Sequence, residues 1–143
     1  MKKQTVLFLC TGNSCRSQMA EGFLRHMAGD RFESISAGFD IKEAVHPLAV
    51  AVMQESGIDI SDQKPKNVAQ WLGRVPVHHL IIVCDKANAT CPRVWPGVDE
   101  KRRLYWPFTD PALTEGSEEE RLAVFREVRN AIQTTIMAWL EKV

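Results

Sequence analysis

The sequence predicts an α/β fold: a single domain built on a four-stranded parallel sheet flanked by helices. Short apolar runs alternate along the chain with segments of helical periodicity, which is typical of a parallel sheet covered on both faces. The chain has 143 residues, of which 45% are apolar, so one domain spanning residues 1–143 can bury a proper core. Acidic and basic residues number 18 each, a balance that indicates neither nucleic acid nor a membrane surface as a partner.

Four segments have the composition of strands in such a sheet. They are Thr5–Leu9, Arg31–Ser36, His79–Val83 and Arg103–Tyr105. The first contains Val6-Leu7-Phe8-Leu9 and the third contains Leu80-Ile81-Ile82-Val83. Runs without alternation are typical of strands buried on both faces, so these two should be fully buried strands.

The spacing of apolar residues and the residue types at helix ends predict helices between the strands. Ser17–Met27 places apolar residues at four-residue spacing, and Pro47–Ser56 begins with a proline and stops at Gly57. Lys66–Leu72 is expected to be a short helix. Ser117 and Glu120 have capping-box spacing, which predicts the start of a long final helix. Its expected apolar face consists of Leu122, Phe125, Val128, Ile132, Ile136 and Trp139.

The first strand runs into a Cys-x5-Arg-Ser sequence, which predicts an oxyanion-binding loop. A loop of this length before a helix turns several N–H groups inward and adds the positive end of the helix dipole. The same field should lower the pKa of Cys10, so we expect a thiolate near neutral pH. Arg16 offers a planar fork for two oxygens of the anion. The alternative, a structural cysteine before a helix cap, is less favoured because the full spacing is uncommon. The loop consists of Cys10, Thr11, Gly12, Asn13, Ser14, Cys15, Arg16 and Ser17.

Two more thiols, Cys84 and Cys91, follow the third strand. The carboxyl ends of parallel strands share one edge of a sheet, so Cys84 should open toward Cys10. A helical segment would hold Cys84 and Cys91 roughly 10 Å apart, whereas a disulfide needs Cα atoms about 4.4–6.8 Å apart. Together with Cys10 the pair indicates three-thiol chemistry that requires movement. Two unpaired thiols remain the alternative, and no nearby residues complete a zinc site.

Two further residues, Cys15 and Asp110, can each be interpreted in two ways. Cys15 is interpreted as a small packing residue, with a protective disulfide to Cys10 as the alternative. Asp110 precedes Pro111 after the fourth strand, so it should reach the same sheet edge on a stiff turn. There it could transfer protons to or from an oxyanion or the thiol, although Asp-Pro turns without such a role are common.

These motifs resemble the thioredoxin-coupled arsenate reductases that share the low-molecular-weight protein tyrosine phosphatase fold. The resemblance rests on the blocks Cys10–Gly22, Ser36-Ala37-Gly38, Cys84–Pro92 and Phe108–Ala112, and shorter matches extend it along the chain. Phosphatases of this fold usually carry tyrosine just after Asp-Pro, whereas Ala112 and Leu113 stand there in this chain. This departure favours a reductase over a phosphatase.

The resemblance implies a role for each of these residues. The Cys10 thiolate attacks arsenate held by the loop and Arg16, while Asp110 assists proton transfer and Ser17 hydrogen-bonds the Cys10 sulfur. Cys84 then attacks Cys10 and releases arsenite, and Cys91 attacks Cys84 to leave a Cys84–Cys91 disulfide.

The resemblance also implies the partners and the setting. Thioredoxin is the expected reductant, although a glutaredoxin-linked donor stays open, and phosphate or sulfate are expected to bind as analogues of arsenate. No metal or organic cofactor is expected. The protein is expected to be a cytoplasmic monomer, with free thiols of the kind that reducing compartments maintain. A phosphatase acting on tyrosine phosphate or small esters is the alternative, and a thiol-based sensing module is a third class.

One position departs from some members of this family. They bind potassium through positions matching Asn13, Glu21, Ser36 and an aspartate, and Lys66 stands where that aspartate would be. A lysine ammonium near Glu21 could replace the ion, so we expect activity to be independent of potassium. The alternative is that Lys66 is an exposed surface lysine.

Overall fold

The computed structural model describes residues 3–85 and 98–143. The four strands are β1 (Gln4–Cys10), β2 (Phe32–Gly38), β3 (His79–Ile82) and β4 (Arg103–Tyr105). The α-helices in these ranges are α1 (Arg16–Ala28), α2 (Pro47–Glu55) and α3 (Glu118–Lys142). Short 3-10 helices cover Val68–Gln70, Glu100–Arg102 and Pro111–Leu113. The predicted strands and the three predicted long helices are therefore confirmed, with ends that shift by one or two residues.

The sheet is parallel throughout, with strand order β2-β1-β3-β4. In its central strand, Leu9 lies between Ala37 of β2 and Ile82 of β3. All carboxyl ends therefore meet at one edge, where Cys10 of β1 lies beside Gly38 of β2. This edge is where a site in an open parallel sheet is expected.

The core lies between the sheet and the helices on its faces. Helix α3 contacts both α1 and α2, and the inner side of α3 is fully or nearly fully buried at Phe125, Val128, Ile132 and Ile136. Leu122 and Trp139, the two ends of the predicted apolar face, pack on the core while partly buried. The start of α3 carries the predicted capping box, in which the Ser117 hydroxyl accepts a hydrogen bond from the Glu120 N–H.

The predicted helix over Lys66–Leu72 is wrong except for its centre. Lys66 and Asn67 are extended beside the end of β2: the Gly38 N–H donates to the Lys66 carbonyl at 2.8 Å, and Gly38 pairs with Asn67 as an isolated parallel bridge. Because these two residues bond across to β2, helical turns begin only at Val68. The Asn67 side chain caps this short 3-10 helix by accepting from the Ala69 N–H.

None of the helices within residues 3–85 and 98–143 combines the length and the apolar character needed to cross a membrane.

Candidate active site

A cavity of about 750 Å³ opens at the carboxyl edge of the sheet. Cys10 ends β1 beside it and is only 3% exposed. Residues from the Cys84 motif and from the Asp110 turn complete the lining, so the fold brings both to the Cys10 loop. The lining includes the loop from Cys10 to Arg16, together with Asp40, Lys42, Cys84, Asp85, Phe108, Asp110, Ala112 and Leu113.

The loop is fastened from outside by residues 40–46, here named the rim segment. The N–H groups of Asp40, Lys42 and His46 donate to the carbonyls of Thr11, Gly12 and Ser14 at 2.9, 3.0 and 2.9 Å. A loop whose carbonyl oxygens are held outward can present its N–H groups to an anion, as backbone nests do.

Two backbone positions make this tight loop possible. Asn13 adopts φ +51°, the left-handed conformation that asparagine tolerates. On the neighbouring strand a Cβ at Gly38 would collide with the Thr11 carbonyl. A residue without a side chain is therefore required where β2 passes the loop.

Polar side chains buried behind the loop hold Asn13 in place. Its Nδ2 donates to Ser17 Oγ at 2.7 Å and to Ser36 Oγ at 3.0 Å. Its Oδ1 accepts from the Lys66 N–H at 2.8 Å and from Gln18 Nε2 at 3.0 Å. Hydrogen bonds of this kind fix an otherwise unfavourable backbone conformation, and thereby the shape of the loop. The bond made by Ser17 is thus with Asn13, rather than the expected one with the Cys10 sulfur.

The positions that the family resemblance associates with potassium form one connected cluster. Ser36 Oγ donates to Glu21 Oε1 at 2.6 Å, and Lys66 Nζ lies 3.4 Å from the same oxygen. The other Glu21 oxygen pairs with Arg25 at 2.6 Å. The predicted approach of the Lys66 ammonium to Glu21 is confirmed, and the alternative of an exposed surface lysine is wrong, since its side chain is only 21% exposed.

Arg16 links the loop to the segment after β4. Its Nη1 donates to the Phe108 carbonyl at 3.1 Å, and its Nη2 lies 3.5 Å from Asp110 Oδ2. Among the described residues, Arg16 Nε is the buried side-chain nitrogen without a hydrogen-bond partner. An unpaired buried donor on a cation is costly, and an oxyanion in the cavity could satisfy it.

Asp110 is positioned by the turn that follows it. Its Oδ1 accepts from the Ala112 N–H at 3.0 Å, which caps the 3-10 helix beginning at Pro111. The carboxylate lines the cavity and is partly exposed, as a proton-transfer group must be. Leu113 is 79% exposed at the same mouth, so an aliphatic side chain stands where phosphatases of this fold usually carry an aromatic ring.

Cys84 reaches the Cys10 sulfur, as their positions after neighbouring strands predicted. The two cysteines lie 3.5 Å apart and share a hydrogen bond. The Thr11 hydroxyl also lies 3.4 Å from Cys84 Sγ. The distance between the two cysteines is longer than the roughly 2.05 Å S–S bond, so no disulfide joins them. Only a small approach is needed to form one.

The surroundings of Cys10 act on its ionisation in opposite directions. The hydrogen bond with Cys84 raises the pKa of Cys10 and burial raises it further, whereas Arg16 and the Thr11 N–H lower it. The field of the loop therefore acts in the predicted direction, and the neighbouring thiol acts against it. Two touching sulfurs do not both ionise readily, because each charge opposes the other. The Cys10 thiolate stays a prediction, because this repulsion opposes a second negative charge rather than the first.

Cys15 has the surroundings of a packing residue. It is buried, and desolvation raises the pKa of its thiol to about 11. Its sulfur lies 3.8 Å from the Ser14 hydroxyl. These features favour the packing interpretation over a reactive thiol. Cys91, the third member of the predicted relay, lies outside the described residues.

Two residues of the site, Gln18 and Lys42, were not predicted from the sequence. Gln18 links the loop to the segment after α2, since its Nε2 donates to the carbonyls of Asn13 and Lys64 at 3.0 and 2.9 Å. Lys42 in the rim segment lines the cavity. The signal for Lys42 was its place shortly after β2, at the same carboxyl edge as Cys10. For Gln18, the helical period alone could not reveal a buried polar partner.

Among the described residues, no group of three or more His, Cys, Asp or Glu side chains could hold a metal ion. The arrangement can thus bind an oxyanion through Arg16 and the loop, deliver a proton from Asp110, and join two sulfurs.

Comparison with known proteins agrees with this site. A protein of Halalkalibacterium halodurans named arsenate reductase is 43% identical over 141 residues, covering 99% of this chain and 98% of that protein. A solved arsenate reductase in a phosphate-binding state superposes with TM-score 0.77 and is 31% identical, covering 98% of both chains. A thioredoxin-dependent arsenate reductase of Corynebacterium glutamicum gives TM-score 0.70 at 28% identity, covering 99% of this chain and 64% of that one.

The family model for low molecular weight phosphotyrosine protein phosphatases matches residues 5–143. That span includes the Cys10 loop, the Asp110 turn and all but the first residue of the four-stranded sheet. The chain therefore belongs to the low molecular weight phosphotyrosine protein phosphatase family.

Proposed function

We propose that this protein reduces arsenate to arsenite through a relay of three thiols, Cys10, Cys84 and Cys91. The observation that carries the proposal is the 3.5 Å contact between Cys10 and Cys84 beside an oxyanion-binding loop. A phosphatase of this fold needs only the first sulfur, whereas a two-electron reduction needs a second sulfur within reach of the first. Similarity to proteins named arsenate reductase over nearly the whole chain supports this choice.

In the first step Cys10 attacks the arsenic atom of bound arsenate. An S–As bond forms and an As–O bond breaks, and the leaving oxygen departs as water. The proton it needs comes from Asp110 or from the Cys10 thiol itself. Arg16 must turn from Phe108 and Asp110 toward the anion, where its planar fork holds two oxygens.

In the second step Cys84 attacks the sulfur of Cys10. The S–S bond forms as the S–As bond breaks, and its electron pair stays on arsenic. Arsenic thereby falls from the pentavalent to the trivalent state, and the two thiols supply the two electrons. Arsenite takes protons from solvent as it leaves.

In the third step Cys91 attacks Cys84 and frees Cys10 as the leaving thiolate. The resulting Cys84–Cys91 disulfide is passed to a dithiol reductant by the same exchange chemistry. We propose thioredoxin for this role, a choice that the thioredoxin-dependent relative from Corynebacterium glutamicum supports. Because the relay requires reduced thiols between turnovers, the proposal includes a cytoplasmic setting. Each turnover uses one chain, so a monomer suffices.

A coupled assay tests the proposal. Purified protein with thioredoxin, thioredoxin reductase and NADPH should oxidise NADPH continuously when arsenate is added, and Cys84→Ser should abolish that turnover. Replacing thioredoxin by glutaredoxin and glutathione distinguishes the donor. Absence of arsenate-dependent oxidation with both donors would refute the reductase.

Phosphatase activity is the second candidate, because the family model is that of a phosphatase. The reaction would use the same loop, Arg16 and Asp110, and would not need Cys84. We expect only weak hydrolysis of an aryl phosphate such as p-nitrophenyl phosphate, since Ala112 and Leu113 offer no ring to grip the ester. Fast hydrolysis that persists in Cys84→Ser would make phosphatase the main function. Binding of either anion without turnover would favour the sensing module.

A further inference from the structure

We propose that Lys42 is a specificity-determining residue of this cavity, an ammonium that draws dianionic oxyanions into the loop. The inference rests on the proposed oxyanion chemistry and adds a second cation to it. Lys42 lies outside the Cys-x5-Arg-Ser motif.

The backbone fixes Lys42 against the loop. Its N–H donates to the Gly12 carbonyl at 3.0 Å, and its side chain lies across the open face of Gly12. A Cβ built on Gly12 would lie 3.1 Å from Lys42 Cγ and 3.4 Å from Lys42 Cε. Two carbons of the Lys42 stem therefore lie over Gly12, and the ammonium is one bond beyond Cε.

The charges around the cavity give this ammonium its importance. Among residues 3–85 and 98–143, three carboxylates line the cavity, those of Asp40, Asp85 and Asp110, and two cations, Arg16 and Lys42. Arg16 is already paired with Asp110. Without Lys42, an incoming dianion would meet one engaged cation and three like charges.

Of the two described cations that line the cavity, Lys42 is the one without an ion-pair partner. Within residues 3–85 and 98–143, its side chain takes part in none of the ion pairs, which join other residues. An unpaired ammonium at the mouth of a concave site focuses positive potential there and raises the local concentration of anions. Lysine suits this role because it acts as a compact point charge on a flexible stem.

Lys42 could instead be retained because its methylene groups cover Gly12. The two roles respond differently to substitution. Lys42→Met keeps an unbranched apolar stem over Gly12 and removes the charge, whereas Lys42→Arg keeps the charge. Lys142→Met, at the last residue of α3, is the matched control for removing one exposed lysine charge.

The test is calorimetric binding of inorganic phosphate to the reduced full-length protein at low ionic strength. We expect Lys42→Met to weaken binding about tenfold, Lys42→Arg to stay within about threefold of the wild type, and Lys142→Met to bind like the wild type. Raising the salt concentration should shrink the difference, since exposed charges are screened. In arsenate turnover the loss should fall on KM, with kcat changed less than twofold.

Three results would overturn the inference. They are wild-type phosphate affinity in Lys42→Met, an equal loss in Lys42→Met and Lys142→Met, and an equal loss in Lys42→Met and Lys42→Arg, which would make the packing responsible. Phosphate binding needs no reduction chemistry. A chain that binds phosphate through Lys42 but turns over no arsenate would therefore overturn the proposed function and leave this inference standing.

Discussion

At the scale of single residues, the state of the Cys10 thiol depends on one neighbour. Arg16 and the Thr11 N–H favour the thiolate, and Cys84 opposes it. The contact with Cys84 that suits disulfide formation therefore acts against the ionisation that suits the first attack.

This antagonism predicts that Cys84→Ala activates Cys10. Removing the hydrogen bond and the like charge should lower the Cys10 pKa, so more thiolate is present at pH 7. When the Cys10 pKa falls by about one, the thiolate fraction rises about tenfold while the nucleophilicity of the thiolate falls about threefold. We expect iodoacetamide to alkylate Cys10 at least about threefold faster, as measured by peptide mass spectrometry across pH. An unchanged pH profile would contradict this assignment of cause.

Asp110 offers a second prediction at this scale. Asp110→Asn keeps an oxygen that can accept from the Ala112 N–H, so the turn should survive, but it cannot deliver a proton. We expect kcat for arsenate to fall about a hundredfold, within the usual range for loss of a general acid. Phosphate affinity should not fall, because the side chain at position 110, which competes with the anion for Arg16, has lost its charge. A kcat within about threefold of the wild type would show that another group supplies the proton.

At the scale of elements, buried polar groups connect α1, β2 and the segment after α2 behind the loop. Glu21 of α1 is buried and is balanced by Lys66 and Arg25. A buried carboxylate needs such partners, and we expect the Lys66 ammonium to serve in place of a bound cation.

The prediction on potassium follows from that cluster. Because Lys66 already contacts Glu21, wild-type kcat/KM for arsenate should be the same in KCl and NaCl at equal ionic strength. Lys66→Asp replaces the ammonium by a carboxylate and should create stimulation by potassium, visible in both kcat/KM and the thermal midpoint. Strong potassium stimulation of the wild type would show that the ammonium does not replace the ion.

Helices α2 and α3 are joined by an exposed ion-pair cluster. Glu55 pairs with Arg126 and Arg129, both at 2.8 Å, and their hydrogen bonds lower the pKa of Glu55 from 4.5 to about 2. A carboxyl whose pKa is lowered on folding stabilises the fold at pH values above its pKa in the unfolded chain. This contribution is lost as the pH falls from about 4.5 toward 2.

Thermal unfolding across acidic pH tests this linkage. We expect Glu55→Gln to show a shallower loss of thermal midpoint between pH 5 and pH 3 than the wild type. Glu33→Gln is the matched control, because Glu33 is exposed and none of the ion pairs among the described residues involves it. Parallel curves for the wild type and Glu55→Gln would contradict a depressed Glu55 pKa.

At the scale of the whole molecule, the repeating features were predictable and the long-range contacts were not. The unbroken apolar runs of β1 and β3 identified a parallel sheet, and that topology brought Cys10 and Cys84 together. The state of the Cys10 thiol could not be read from its loop, because the partner that raises its pKa is 74 positions away in the sequence. The helix predicted from Lys66 failed for a similar reason: its first residues are bonded to Gly38 of another element.

The most direct test of the reductase is a single turnover of reduced Cys91→Ser with excess arsenate and no external reductant. The account predicts one arsenite released per chain and a disulfide between Cys10 and Cys84 in the peptide map, because the relay stops before its third step. No arsenite, or arsenite with both sulfurs still alkylatable as thiols, would contradict it.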